Sequence, residues 1–369
     1  MKRRITKFKK SELLIFAADL TRLLSQVQID PSLLTPINYR CEQRKFFASS
    51  TYNPQFTYRD STTQSVTTIL ASLWRRLINP HLPLDLETYI ESLIYHLALL
   101  HRAKLAIGTP LFSRFTEELY NLTALSAQKY TDCLPMVTFA DTQGARMYNA
   151  YEIQDYAERY IASQEHLRYF STYIDHHSSF TIKAGMEKLH IGSRVRRNEQ
   201  NVVRLMVHEI ESHLVQRQNS RRGGPLYLLR TQPARELYAE GMAVYNEVTT
   251  GTITESAYCM YFYRLKAVSM MDKSFREIYT YLSRYLSKNK AFITAFRVKR
   301  GISDTSKPGG YPKDALYLIG YKKVSDYLLS GGNVDLLYKT QVPELGELLN
   351  KYNLLSSTPC QMPPFLGRA

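Results

Sequence analysis

Cysteine is scarce in this chain. Cys41, Cys133, Cys259 and Cys360 are the only four in 369 residues, with no CxxC pair and no histidine placed to complete a zinc knuckle. The count argues against a disulfide framework and points to reduced thiols of a cytoplasmic protein. Long apolar runs are missing too. The run Leu13–Ala18 follows the basic stretch MKRRITKFKK but stops at Asp19, so neither a secretory signal nor a membrane span is expected. Internal repeats and low-complexity linkers are absent. Acidic residues are in deficit, 33 against 48 Lys and Arg, which leaves a net charge of +15.

What remains is the composition of a globular chain, 44% hydrophobic and 22% charged, long enough for one large domain or two smaller ones. The excess charge favours anionic partners. Six of those charges lie in the first ten residues, read as an exposed basic tail before an amphipathic helix with Ser11 as its N-cap. The other +9 is diffuse, with Arg194, Arg221 and Arg297 set among core-type residues. No nucleic-acid motif accompanies it, so the partner expected is a protein or peptide, for instance one with an acidic tail, rather than nucleic acid.

Residues 11 to about 165 read mostly as helices. In DLETYIESLIYHLALLHRAKL, from Asp85, apolar residues recur at three and four, and Gly108-Thr109-Pro110 ends one helix and opens the next. Between Arg168 and Arg194 the stretches RYFSTYI, SFTIKAG and KLHIGS predict a small antiparallel sheet. Asn198 then opens a helix with Val203, Met206, Val207, Ile210 and Leu214 on its buried face, ending near Asn219 before SRRGGP. A helix over about 234–248 carries RELYAEGMAVYNE. The rest is largely helical to about Asn350, apart from RGISDTSKPGGYP at 300–312.

HEIESH, residues 208–213, lies inside the helix that Asn198 opens. Two histidines and an adjoining glutamate suggest a zinc site, yet these histidines are five residues apart, where the familiar zincin spacing is four. Five residues of ideal α-helix separate two side chains by about 140° around the axis. A π-type widening between His208 and His213 would return them to one face, and such bulges concentrate at functional sites. The next helix brings Glu236, Glu240 and Glu247. Two imidazoles from one helix and a carboxylate from the next can hold one Zn²⁺ and leave a position for water. Glu240 is favoured as third ligand because Gly241 beside it permits close approach, while Glu236 reads as a first-turn carboxylate. Glu209 would take a proton from the zinc-bound water and pass it to the leaving amine. Glu211 is expected to be solvated.

HEIESH followed by AEGMAVYNE resembles the zinc metallopeptidases that include the microtubule-associated tyrosine carboxypeptidases and the bacterial QEGLA-motif proteins. YNPQFTYR at 52–59, GTPLFSRFTEELY at 108–120 and VKRGISDTSKPGGYPKDALYLIG at 298–320 extend the resemblance over about 35–340. It implies a predominantly helical α+β fold whose zincin-like metallopeptidase core includes the small antiparallel sheet. It also implies one zinc ion on His208, His213 and Glu240, with Glu209 as base. The chain departs from the family pattern at Ala239, where Gln or Glu is usual, and at Met242, where Leu is usual.

The division expected is a basic tail and helix over 1–34, a helical region over 35–165, the catalytic region over 166–350 and a tail over 351–369. The resemblance further implies removal of C-terminal residues, tyrosine or another bulky one. Arg300 and Lys313 are then candidates to anchor a terminal carboxylate. Tyr317, one turn after Lys313, would polarise the scissile carbonyl. An edge of SFTIKAG or KLHIGS would pair with the substrate backbone. His176, His177 and His190 read as structural or exposed. The competing readings are a metallo-endopeptidase or aminopeptidase on the same zinc site, and a non-catalytic basic binding protein.

Overall fold

The computed structural model describes residues 10–60, 71, 82–134, 137–141, 146–176, 182–185, 188–224, 226, 229–230 and 232–363. It is mostly helical with two small sheets, an α+β chain. Helices α1 (Lys10–Val27), α2 (Tyr39–Ala48), α3 (Leu84–Leu105), α4 (Pro110–Tyr120) and α5 (Ala124–Thr131) come first. Next are β1 (Met147–Asn149), α6 (Ala150–Ser163), β2 (Ser171–Asp175), β3 (Ile182–Ala184), β4 (Lys188–Gly192) and β5 (Arg196–Asn198). The helix α7 spans 199–222. After it run α8 (Gln232–Thr249), α9 (Glu255–Val268), α10 (Phe275–Leu282), α11 (Lys288–Lys299), α12 (Leu316–Leu329), α13 (Val334–Lys339) and α14 (Pro343–Lys351). Among the described residues, no helix is long and apolar enough to cross a membrane, and all four cysteines are free thiols.

Two compact units are formed, to which the chain contributes in alternation. The first takes Met1–Leu134, Thr231–Ala234 and Tyr261–Leu316; the second takes Pro135–Arg230, Arg235–Met260 and Tyr317–Ala369. In the first, a core of rings from Phe46, Phe56, Phe275 and Phe292 is buried with centroids 5.0–6.3 Å apart in edge-on and tilted pairs. The 300–312 stretch is a loop closing in a 3₁₀ turn, Pro312–Ala315. It is held by Lys299, whose buried ammonium donates to the carbonyls of Met271, Lys307 and Gly309 at 3.1, 2.7 and 2.9 Å. Burial lowers the pKa of Lys299 to about 8. Asp314 is buried beside Arg297 and Arg300. Its own burial would raise its pKa, but the charge and hydrogen bonds of Arg297, then the charges of Arg300 and Arg264, hold the carboxyl well below the usual carboxylate range.

In the second unit the strand order is β2-β4-β3, with β2 and β4 parallel and β3 and β4 antiparallel. The sheet is therefore mixed, not purely antiparallel. The reason lies in β4: Leu189 and Ile191 are fully buried, and the central position shields both, whereas the residues of β3 are only partly covered and sit at the edge. KLHIGS, being central, offers no edge to a substrate. A further pair, β1 with β5, escaped the sequence. Asn149 opens α6 through a capping box, and Asn198 caps α7 by accepting from the backbone N–H of Asn201 at 3.0 Å. Ser11 already lies within α1 and is not its cap, and α7 continues to Arg222, three residues beyond Asn219.

Gly241 of α8 and Gly320 of α12 meet backbone to backbone. A Cβ on Gly320 would lie 2.1 Å from the carbonyl oxygen of Leu237, and one on Gly241 would lie 2.3 Å from the carbonyl carbon of Gly320. Gly320→Ala should therefore cost about 1–3 kcal/mol, read from urea unfolding, because backbone cannot yield as a side-chain tip can; an unchanged midpoint would contradict this contact. For Asp314 the folded pKa is depressed, so its contribution to stability is complete above about pH 4 and drains away as pH falls below that. Urea midpoints at pH 5 and pH 3 should show Asp314→Asn less stable than the parent at pH 5, with a smaller loss on acidification.

Candidate metal centre

The helix α7 changes its hydrogen bonding partway along. Glu199–Leu205 is α-helical, Met206–Leu214 is π-helical and Val215–Arg222 is α-helical again. The backbone N–H of Val215 reaches the carbonyl of Ile210, five residues back. Ser212 repeats this interval with its side chain, donating to the carbonyl of Val207 at 2.9 Å. Its hydroxyl accepts from Asn246 at 2.8 Å, and Asn246 also donates to the hydroxyl of Tyr338 at 2.8 Å. All three are buried, so the widened turn is clamped by hydrogen bonds out of reach of water. The widening anticipated from the spacing of HEIESH is thus present.

Its effect is to bring the imidazoles of His208 and His213 together, with ring centroids 5.0 Å apart at 85°. Glu240 of α8 completes the group. Its Oε2 is 3.6 Å from Nε2 of His208 and 3.8 Å from Nε2 of His213, and one ligand atom from each residue lies within 4.8 Å of the others. Tetrahedral ligands 2.0–2.2 Å from a common ion stand about 3.4 Å apart. The donor set of two neutral-capable imidazoles and one carboxylate therefore fits zinc in chemistry and, within a few tenths of an ångström for two of the three pairs, in spacing.

The surroundings orient this set. Nδ1 of His208 is 2.7 Å from Oε1 of Glu247, which turns Nε2 toward the other two residues. Glu247 is 0% exposed, and Arg204 donates to the same oxygen at 2.7 Å. In the metal-free protein, burial opposes the charge of His208, but the carboxylates of Glu240 and Glu247 outweigh it and raise its pKa to about 10. Burial acts with little relief on His213 and lowers its pKa to about 3. Glu209 is buried, and that burial raises its pKa above the ordinary value. Its Oε2 accepts from the backbone N–H of Ala184 in β3 at 2.7 Å.

Tyr317 lies with its ring nearly parallel to His208, centroids 6.4 Å apart. Arg300 and Lys313 belong to the first unit, where Arg300 donates to Asp314 at 3.4 Å and lies over the ring of Tyr311. Lys313 sits in the 3₁₀ turn that precedes α12, so the four-residue step to Tyr317 is not one turn of a continuous α-helix. Glu211 corrects another expectation. It is 1% exposed and accepts a hydrogen bond from Tyr160 of α6, because the widened turn directs it into the unit. Glu236 is buried but outside the metal-ligating group. His176 is exposed and His190 half-buried in β4, neither in that group, while His177 lies outside the described residues. Glu247 and Arg204 were missed as positioning groups, although their spacing held the signal: Glu247 follows Glu240 by two turns and Arg204 precedes His208 by one. Gly241 does allow close approach, but by the backbone of α12.

Residues 44–345 match the model of a protein family described as microtubule-associated tyrosine carboxypeptidase, a span that encloses every residue of the centre. Over 306 residues the chain is 25% identical to a mouse protein named "Putative tyrosine carboxypeptidase MATCAP2". That match covers 79% of this chain and 50% of the mouse protein, so the chain spans about half the length of this curated relative. With most of its length matched and the ordered motifs in place, the chain belongs to the microtubule-associated tyrosine carboxypeptidase family.

Proposed function

We propose that this chain is a zinc-dependent carboxypeptidase with a zincin-like core, which removes a bulky C-terminal residue, tyrosine first among them, from a protein or peptide. The observation that carries the reading is the convergence of His208, His213 and Glu240 beside Glu209 in a chain of this family. Zinc held by these three side chains would supply Lewis acidity, lowering the pKa of a water to about 7 and polarising the scissile carbonyl. Glu209 acts as general base. Its Oε2 is fixed by Ala184, which leaves Oε1 to take a proton from the attacking water and return it to the leaving amine. A pKa raised by burial suits that exchange near neutral pH.

Glu247 holds the tautomer and direction of His208, with Arg204 donating to the same Glu247 oxygen. The phenol of Tyr317, whose ring lies 6.4 Å from that of His208, would donate to the carbonyl oxygen as charge develops there. The edge of β3 ahead of Ala184, whose own N–H and C=O serve Glu209 and Arg217, would receive the extended substrate backbone. The net charge of +15 draws acidic tails toward the protein, an attraction that weakens with salt.

Glu209→Gln should retain the metal yet lose about 10²- to 10⁴-fold in kcat, and His213→Ala should lose both metal and activity. Elemental analysis and mass readout of a peptide library check this; internal cuts in place of C-terminal trimming would refute the carboxypeptidase reading, and metal retained by His213→Ala would refute the ligand set. Glu247→Ala should weaken zinc binding by about 10- to 100-fold in a chelator competition. An unchanged affinity would show that Glu247 does not position His208.

A further inference from the structure

In a carboxypeptidase the terminal carboxylate lies one residue from the bond that is cut. Consecutive Cα atoms are about 3.8 Å apart, so the anchoring cation must be held close to the general base and in fixed register with it. Arg217 meets that requirement. It follows His213 by four residues on α7, and its Nη2 donates to the carbonyl of Ala184 at 3.2 Å. The N–H of the same residue is the donor to Glu209. One residue of β3 therefore fixes both the base and this guanidinium. Nη1 of Arg217 is buried with no hydrogen-bond acceptor among the described residues, and the same holds for Nε of Arg235 near the start of α8. Arg235 belongs to the same unit and lies on α8, five residues before Glu240. Two buried guanidinium donors without acceptors, beside a metal-ligating group, are matched by a ligand that brings an anionic oxygen pair.

We propose that Arg217, assisted by Arg235, binds the α-carboxylate of the residue to be removed. The proposal rests on the carboxypeptidase reading for its substrate but on the geometry of Ala184, Glu209 and Arg217 for its residues. Arg217 is then what makes the site an exopeptidase site: a chain continuing past the cut would place an uncharged amide against the guanidinium.

The test uses the full zinc-loaded chain and two probes without a peptide bond, 3-(4-hydroxyphenyl)propanoate and its primary amide, titrated calorimetrically. The parent protein should prefer the acid. Arg217→Gln should weaken the acid about 10- to 100-fold while leaving the amide unchanged. Arg217→Lys, which keeps the charge without the fork, should fall between them and guards against a Gln variant that misfolds. Equal losses for acid and amide, with the folded circular dichroism spectrum intact, would reduce Arg217 to a clamp on β3 and overturn the proposal. It would equally be overturned by no loss at all, by a parent protein that does not discriminate, or by discrimination lost in Arg300→Gln instead. Peptide trimming is assayed in parallel. Discrimination that depends on Arg217 in a protein that trims nothing upholds the anchor and refutes the carboxypeptidase reading; trimming with discrimination unaffected by Arg217→Gln does the reverse.

Discussion

Two imidazoles five residues apart can face one point only where a helix turns by less than the usual 100° per residue. The π-helical segment Met206–Leu214 supplies that slower turn, and the group of His208, His213 and Glu240 depends on it. A π-helical stretch is rarely favoured by itself. Here the hydroxyl of Ser212 and the amide of Asn246 occupy the widened turn with hydrogen bonds of 2.9 and 2.8 Å, both out of reach of water. Asn246 comes from α8, the helix that also brings Glu240 and Glu247. One helix thus sets the shape of its neighbour, completes the candidate metal group and orients the first imidazole.

The distance between α8 and α12 is governed by side chains that are not there. At Gly241 and Gly320 the two helices α8 and α12 touch through backbone, which brings α12 and Tyr317 close to His208. The glycine beside Glu240 therefore serves packing.

Much of this was legible in the chain itself. Apolar periodicity located α3 and α7, the Gly108-Thr109-Pro110 break located the start of α4, and Asn198 marked the N-terminus of α7, because a buried stripe, a break and a cap are local properties. The five-residue spacing disclosed the π-helix, since no regular helix could use it. Partnership across sequence was harder. The parallel pairing of β2 with β4 depends on which strand needs the centre, and Glu211 looked solvated because ideal helical angles do not apply within the widened turn. Arg300 and Lys313 read as anchors for a substrate carboxylate. Polar residues around them hold the loop itself: Lys299 is caged by three carbonyls and Asp314 gathers Arg297 and Arg300. A run rich in charge and glycine carries the same signal whether its cations face a ligand or its own backbone.

Ala184 has no functional group in its side chain, yet its backbone N–H donates to Glu209 and its C=O accepts from Arg217. β3 is an edge strand three residues long, with one neighbour in its sheet. A sliding or tilting of that short edge would shift both side chains together, so a visiting strand pairing there would act as a splint. Occupancy of the edge and the placement of Glu209 and Arg217 become one mechanical variable, set by the register of a single residue.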